Sequence, residues 1–254
     1  MDFQRRLDPF ELNVAPDEEL PNYESATAPS YENEDYDRPL YTYSLRQIDR
    51  KLQHVVTFGP STTPSYKIVS HGTFRLFSKK PDLQMIRALS GSLLECAIAS
   101  IKFDNDGPLP WCPRAHFSHE GSHGTKIYAM ESRNFTDWSI EISGITYMWR
   151  LEARPISLVL SERTASLVIA HFTYSRWGTM ATNGAEIGEL TIYRDGLSVD
   201  SDGVEKIICG LLVAIAHLRK MGRHYWNDAP VRATSLTRSH LPSHRASFAS
   251  YSNL

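Results

Sequence analysis

His119-Glu120-Gly121-Ser122-His123 has the spacing of a zincin motif. On a helix, two histidines four apart share one face and bind zinc while the glutamate activates a water. Here Gly121, Ser122 and Gly124 oppose a helix, and Pro108, Pro110 and Pro113 precede the segment. Cys112 and His116 are near enough to extend a ligand set. A polar loop joining two strands accounts for all of these residues. His119 and His123 are the residues a metal would use, but no metal or other cofactor is expected. Asp104-Asn105-Asp106-Gly107 and Asp200-Ser201-Asp202-Gly203 lack the acid spacing and terminal glutamate of a calcium loop, and read as turns. There is no Gly-rich phosphate loop, no nucleophile elbow and no kinase signature set, so a non-enzymatic protein is expected.

Three other groups of residues suit binding. Leu20-Pro21-Asn22-Tyr23 is an LPxY string in an acidic stretch. WW domains hold such strings by clamping the proline between aromatic rings while Leu20 and Tyr23 contact the flanking grooves. Arg232-Ala233-Thr234-Ser235 and Arg245-Ala246-Ser247 resemble basophilic kinase sites, and phosphate on Ser235 or Ser247 would weaken attraction to anionic lipid. Arg75, Lys79, Lys80, Lys102, Arg150 and Arg154 would line an anionic-headgroup pocket if the fold brings them together. Lysines at strand edges have a second use, in preventing edge-to-edge pairing.

The element that organises the chain lies at residues 204–218. From Ile207 to Ala216 no residue is charged, so no polar stripe can face water. The run is too short to cross a bilayer, which takes about 20 residues. It must be buried by the rest of the protein. Asp202 is placed to cap this helix, with Glu205 completing a capping box. Arg219 and Lys220 suit the negative end of the dipole, and Gly222 the left-handed stop. The helix is expected over about 203–221.

Before it come short β-like runs at residues 40–45, 52–58, 66–69, 73–77, 93–103, 126–130, 138–142, 145–151, 156–160, 167–174 and 189–193. Turn residues separate them. Residues 81–89 read as a short helix. The expected fold is mainly β: a closed antiparallel barrel of about twelve strands around the hydrophobic helix, spanning 40–222. Residues 1–39 carry a net charge of −8 and residues 223–254 are basic and rich in Ser and Arg; both read as disordered tails. Three widely spaced cysteines indicate no disulfide framework. With no apolar signal core, the Asn134-Phe135-Thr136 sequon is not expected to be used.

This order of elements resembles the Tubby C-terminal-like superfamily, which includes the LURP-one-related and phospholipid scramblase families. The resemblance rests on the last two strands, Asp195-Gly196-Leu197-Ser198-Val199 and the helix after them. Tyr41-Thr42-Tyr43, Phe74-Arg75-Leu76-Phe77-Ser78-Lys79-Lys80 and Thr146-Tyr147-Met148-Trp149-Arg150 are similar to fungal members. Tubby binds phosphoinositides through a basic pocket. The resemblance therefore implies a cytoplasmic binding module, peripheral at the membrane, that recognises anionic lipid. An adaptor bringing a WW-containing ubiquitin ligase to a target is the alternative. No nucleic-acid partner is expected, and the oligomeric state is left open.

Overall fold

A strand meander that closes on itself antiparallel needs an even number of strands, and this chain supplies twelve. The computed structural model describes residues 39–58, 63–71, 80–88, 95–104, 113–122, 124–134, 136–198 and 200–228. The strands are β1 (Pro39–Gln47), β2 (Leu52–Thr57), β3 (Ser65–Ser70), β4 (Leu83–Ala88), β5 (Cys96–Asp104) and β6 (Arg114–Gly121). They continue as β7 (Gly124–Ser132), β8 (Trp138–Ile142), β9 (Ile145–Ala153), β10 (Ile156–Glu162), β11 (Val168–Tyr174) and β12 (Glu186–Tyr193). Each pairs with the next, and β12 returns to β1, where Thr42 faces Thr191 and Ser44 faces Glu189. No strand edge is left open to another chain.

Side chains from the wall alone fill a barrel of about eight strands, and twelve leave a wider lumen. The helix α1 (Ser201–Lys220) occupies it. Residues 207–215 are all buried, so the helix has no face in water, as its uncharged run requires. Ile208, Leu211, Leu212 and Ile215 pack with Phe117, Trp138, Trp149, Phe172 and Tyr174 in one core. Gly210 lets the helix approach the wall: a Cβ there would lie 2.7 Å from Trp149 Nε1. Gly222 has φ of +70° and ends the helix as expected. Strands β10 to β12 are shielded on both faces, so outward-pointing His171, Thr173 and Thr191 are buried too.

Four expectations need correction. Residues 81–88 form no helix; Leu83 and Met85 alternate inward on β4, and the five residues from Leu83 to Arg87, paired on both sides, are better satisfied as a strand. Residues 114–121 are not a loop but β6, whose alternation places Ala115, Phe117 and His119 inward. The cap position is Asp200, which makes no side-chain capping bond, and the helix begins at Ser201. The capping box of Asp202 and Glu205 does not form, because both carboxylates bond to the barrel wall. Packed chain also continues beyond 222, with Asn227 buried. The strand expected at 73–77 lies outside the described residues.

Candidate functional site

At the amino end of α1, Asp202 and Glu205 meet Arg87 and His119 of the wall. Inward alternation on β4 and β6 aims Arg87 and His119 at the first turns of the helix. Glu205 is wholly buried, and His119 is 2% exposed. Arg87 donates to Glu205 Oε1 through Nε at 2.8 Å and Nη2 at 2.5 Å. His119 Nε2 lies 2.8 Å from Oε2. A carboxylate held by arginine can only accept, so Nε2 carries the proton. Asp202 accepts from the Ser122 backbone N–H at 3.0 Å and from its hydroxyl, and the backbone bond in particular holds its pKa below the usual value. Burial acts to lower the Arg87 pKa, but its bonds to Glu205 outweigh this and hold it above the ordinary value. Tyr66 stands beside the cluster, its buried hydroxyl without a well-formed hydrogen bond, and burial followed by the Glu205 charge pushes its pKa up.

Ligand atoms of His119, Asp202 and Glu205 lie within 4.8 Å of one another. Yet both Glu205 oxygens are engaged and His119 presents a proton. A cation bound between His119 Nε2 and Glu205 Oε2 would have to break their hydrogen bond and would bring positive charge against Arg87, so the group is best described as an ion-pair lock between helix and wall. The zincin geometry fails for a separate reason. On a strand, His119 faces inward while Glu120 is exposed on the other side. His119 is therefore a core residue, not a loop residue; His123 lies outside the described residues.

Between the last turns of α1 and the ends of β1 to β5 is a chamber of about 720 Å³. Its floor is apolar, made by Ile68, Leu83, Phe103, Leu212, Ile215 and Ala216. Its rim carries Arg50, Lys51, His71, Arg219 and Lys220 against Asp82 alone. Arg219 donates to Gln47 Oε1 and to the Thr179 carbonyl, both at 3.1 Å, and its buried Nε has no partner. Both acceptors are neutral. No carboxylate pairs with Arg219 among the described residues, and burial lowers its pKa. Lys220 Nζ sits 3.7 Å above the Phe103 ring, and burial lowers its pKa while Asp82 acts in the other direction. Asp82 itself accepts from the Phe103 N–H at 2.8 Å.

Of the six basic residues singled out in the sequence, the four described ones, Lys80, Lys102, Arg150 and Arg154, are not brought together in one pocket. Lys102 and Arg150 are exposed on the outer wall, on β5 and β9, four strands apart, or about 19 Å around the barrel. Arg154 is exposed in the β9–β10 turn. Lys80 is exposed just before Asp82, in the connection whose ends, His71 and Asp82, line the chamber. Arg75 and Lys79 belong to that connection but lie outside the described residues, as do Leu20, Pro21, Tyr23, Ser235 and Ser247. Arg219 and Lys220 carried only a helix-dipole signal in the sequence, and the Arg50-Lys51 pair was not singled out.

Comparison with protein-family models, curated proteins and solved structures finds no match to this chain. Among the described residues, no helix is long and apolar enough to cross a membrane.

Proposed function

We propose that the protein is a non-enzymatic binding module that recognises an anionic lipid at a membrane surface, taking it in the chamber beside the end of α1. The observation that carries this reading is Arg219, a largely desolvated guanidinium with only neutral acceptors, at the mouth of an apolar cavity. Removing a charge from water without a counter-ion is costly, so a ligand that brings an anion recovers that cost on binding. The planar fork of arginine suits phosphate and carboxylate. Lys220, Lys51 and Arg50 add positive charge around it, while the floor accepts the apolar part of the same molecule. Phosphoinositide and phosphatidylserine both offer this combination, and the Tubby-like resemblance leads to the same ligand class.

Liposome sedimentation tests the proposal. Full-length protein should pellet with phosphatidylcholine vesicles that contain a phosphoinositide or phosphatidylserine, and the bound fraction should fall as salt rises. No binding at low salt, or binding indifferent to salt, refutes it. Recruitment of a WW-domain ligase through Leu20-Pro21-Asn22-Tyr23 is a separate and compatible proposal. It requires that capture by isolated WW domains be lost in Tyr23→Ala.

A further inference from the structure

We propose that the chamber end of the barrel is also the face that docks on the bilayer, with Trp177, Met180 and Trp226 entering the boundary between headgroups and acyl chains. The inference rests on the lipid reading above and adds an orientation and a second set of contacts.

Two segments build the face. The connection from β11 to β12 contains one 3-10 turn, Gly178–Met180, and residues 221–228 follow α1. They are fastened together. The Thr179 N–H donates to the Tyr225 carbonyl at 3.0 Å, and the Tyr225 N–H donates to Thr179 Oγ1 at 2.9 Å. The Asn227 N–H donates to the Ser175 carbonyl at 3.1 Å, and its side chain bridges Ile156 and Tyr174. Gly178, at φ +47°, has no room for a Cβ, which would strike the Tyr225 carbonyl and lie 2.9 Å from Trp226 Cα. Trp177, the neighbour of Gly178, is therefore brought close to the backbone of Trp226, and Met180 ends the same 3-10 turn. Their exposures are 60%, 58% and 48%, high for large apolar side chains on so well-bonded a scaffold. Among the described residues, the other exposed large apolar side chains are scattered: Val56 on β2, Phe58 just after it, Ile127 on β7 and Ile145 on β9.

Charge decides between a membrane and a protein partner. The charged residues of the β9–β10 turn, the β11–β12 connection and residues 221–228 are Arg154, Arg176 and Arg223 against Asp228 alone. In the sequence, the 26 residues that follow Asp228 include Arg232, Arg238 and Arg245 and no acid. Exposed tryptophan surrounded by bases is the composition of an anionic membrane interface. Arg219 joins the face to the chamber, since the Thr179 carbonyl that accepts from it belongs to the same 3-10 turn.

The test uses full-length protein and vesicles of brominated phosphatidylcholine with phosphatidylserine, bromine being a quencher confined to the acyl region. Tryptophan emission should be quenched on binding, and the quenched component should disappear in Trp177→Ala/Trp226→Ala. That variant should keep its thermal midpoint and lose affinity for the vesicles at least tenfold, with partial recovery in Trp177→Phe/Trp226→Phe. Binding by wild type and alanine variant alike, without quenching, overturns the docking face and leaves the lipid reading standing. No binding by wild type overturns both. A lipid-free dimer that dissociates in the alanine variant, with vesicle binding unchanged, assigns the patch to self-association and refutes the proposal.

Discussion

Glu205 is the residue on which sequence and structure differ most instructively. Its position, three after Asp202 at a helix start, is the spacing of a capping box, and spacing cannot tell a helix that begins in solvent from one that begins inside a barrel. Buried, the carboxylate serves Arg87 and His119. Glu205→Gln leaves Arg87 without its counter-charge and should cost about 3 kcal/mol, the low end for a broken buried pair because Arg87 remains partly exposed. Denaturant unfolding measures this. Arg87→Gln/Glu205→Gln should be less destabilised than the sum of its single variants.

His171 and His217 are a second point at residue scale. Burial lowers both to about 4, assisted at His217 by Lys220 and Arg223. A histidine held neutral when folded binds protons more readily when unfolded. Its stabilising contribution is complete above the unfolded value of about 6.5 and is lost as pH falls toward 4. The unfolding free energy should decline over that window by up to about 1.4 kcal/mol per pH unit for each histidine. In His171→Gln the slope should flatten. An unchanged slope would show that His171 does not contribute.

Among the elements, α1 was the most legible, because an uncharged run too short for a bilayer has to be buried in protein. Its core position makes Leu212→Asp a severe change. An unpaired charge at a position 2% exposed costs several kcal/mol, enough to unfold a domain of ordinary stability. Circular dichroism should show loss of the native spectrum; a folded Leu212→Asp variant would mean that the helix can leave the lumen. β4 and β6 were less legible. Arg87 and His119 occupy inward positions and interrupt the apolar alternation that marks a strand. In each case the residue that hides the strand is the one that builds the lock.

At the scale of the molecule, the two ends of α1 differ: the ion-pair lock holds the first turns, and the chamber lies beside the last. Strand count and helix were readable from local patterns; the chamber was not. Its lining comes from five strands, two of their connections and α1, and no strand contributes more than two residues. Of the basic residues chosen from the sequence, the described ones are exposed, whereas Arg219 is distinctive for its burial without an opposite charge. Vesicle affinity of Arg219→Gln/Lys220→Gln, compared with Lys102→Gln/Arg150→Gln, tests the account most directly, because both pairs remove two positive charges. The first pair should bind phosphoinositide vesicles at least tenfold more weakly, with the native thermal midpoint nearly retained, and the second should bind as wild type does. Equal affinities for the two pairs, or a greater loss in the outer-wall pair, would contradict it.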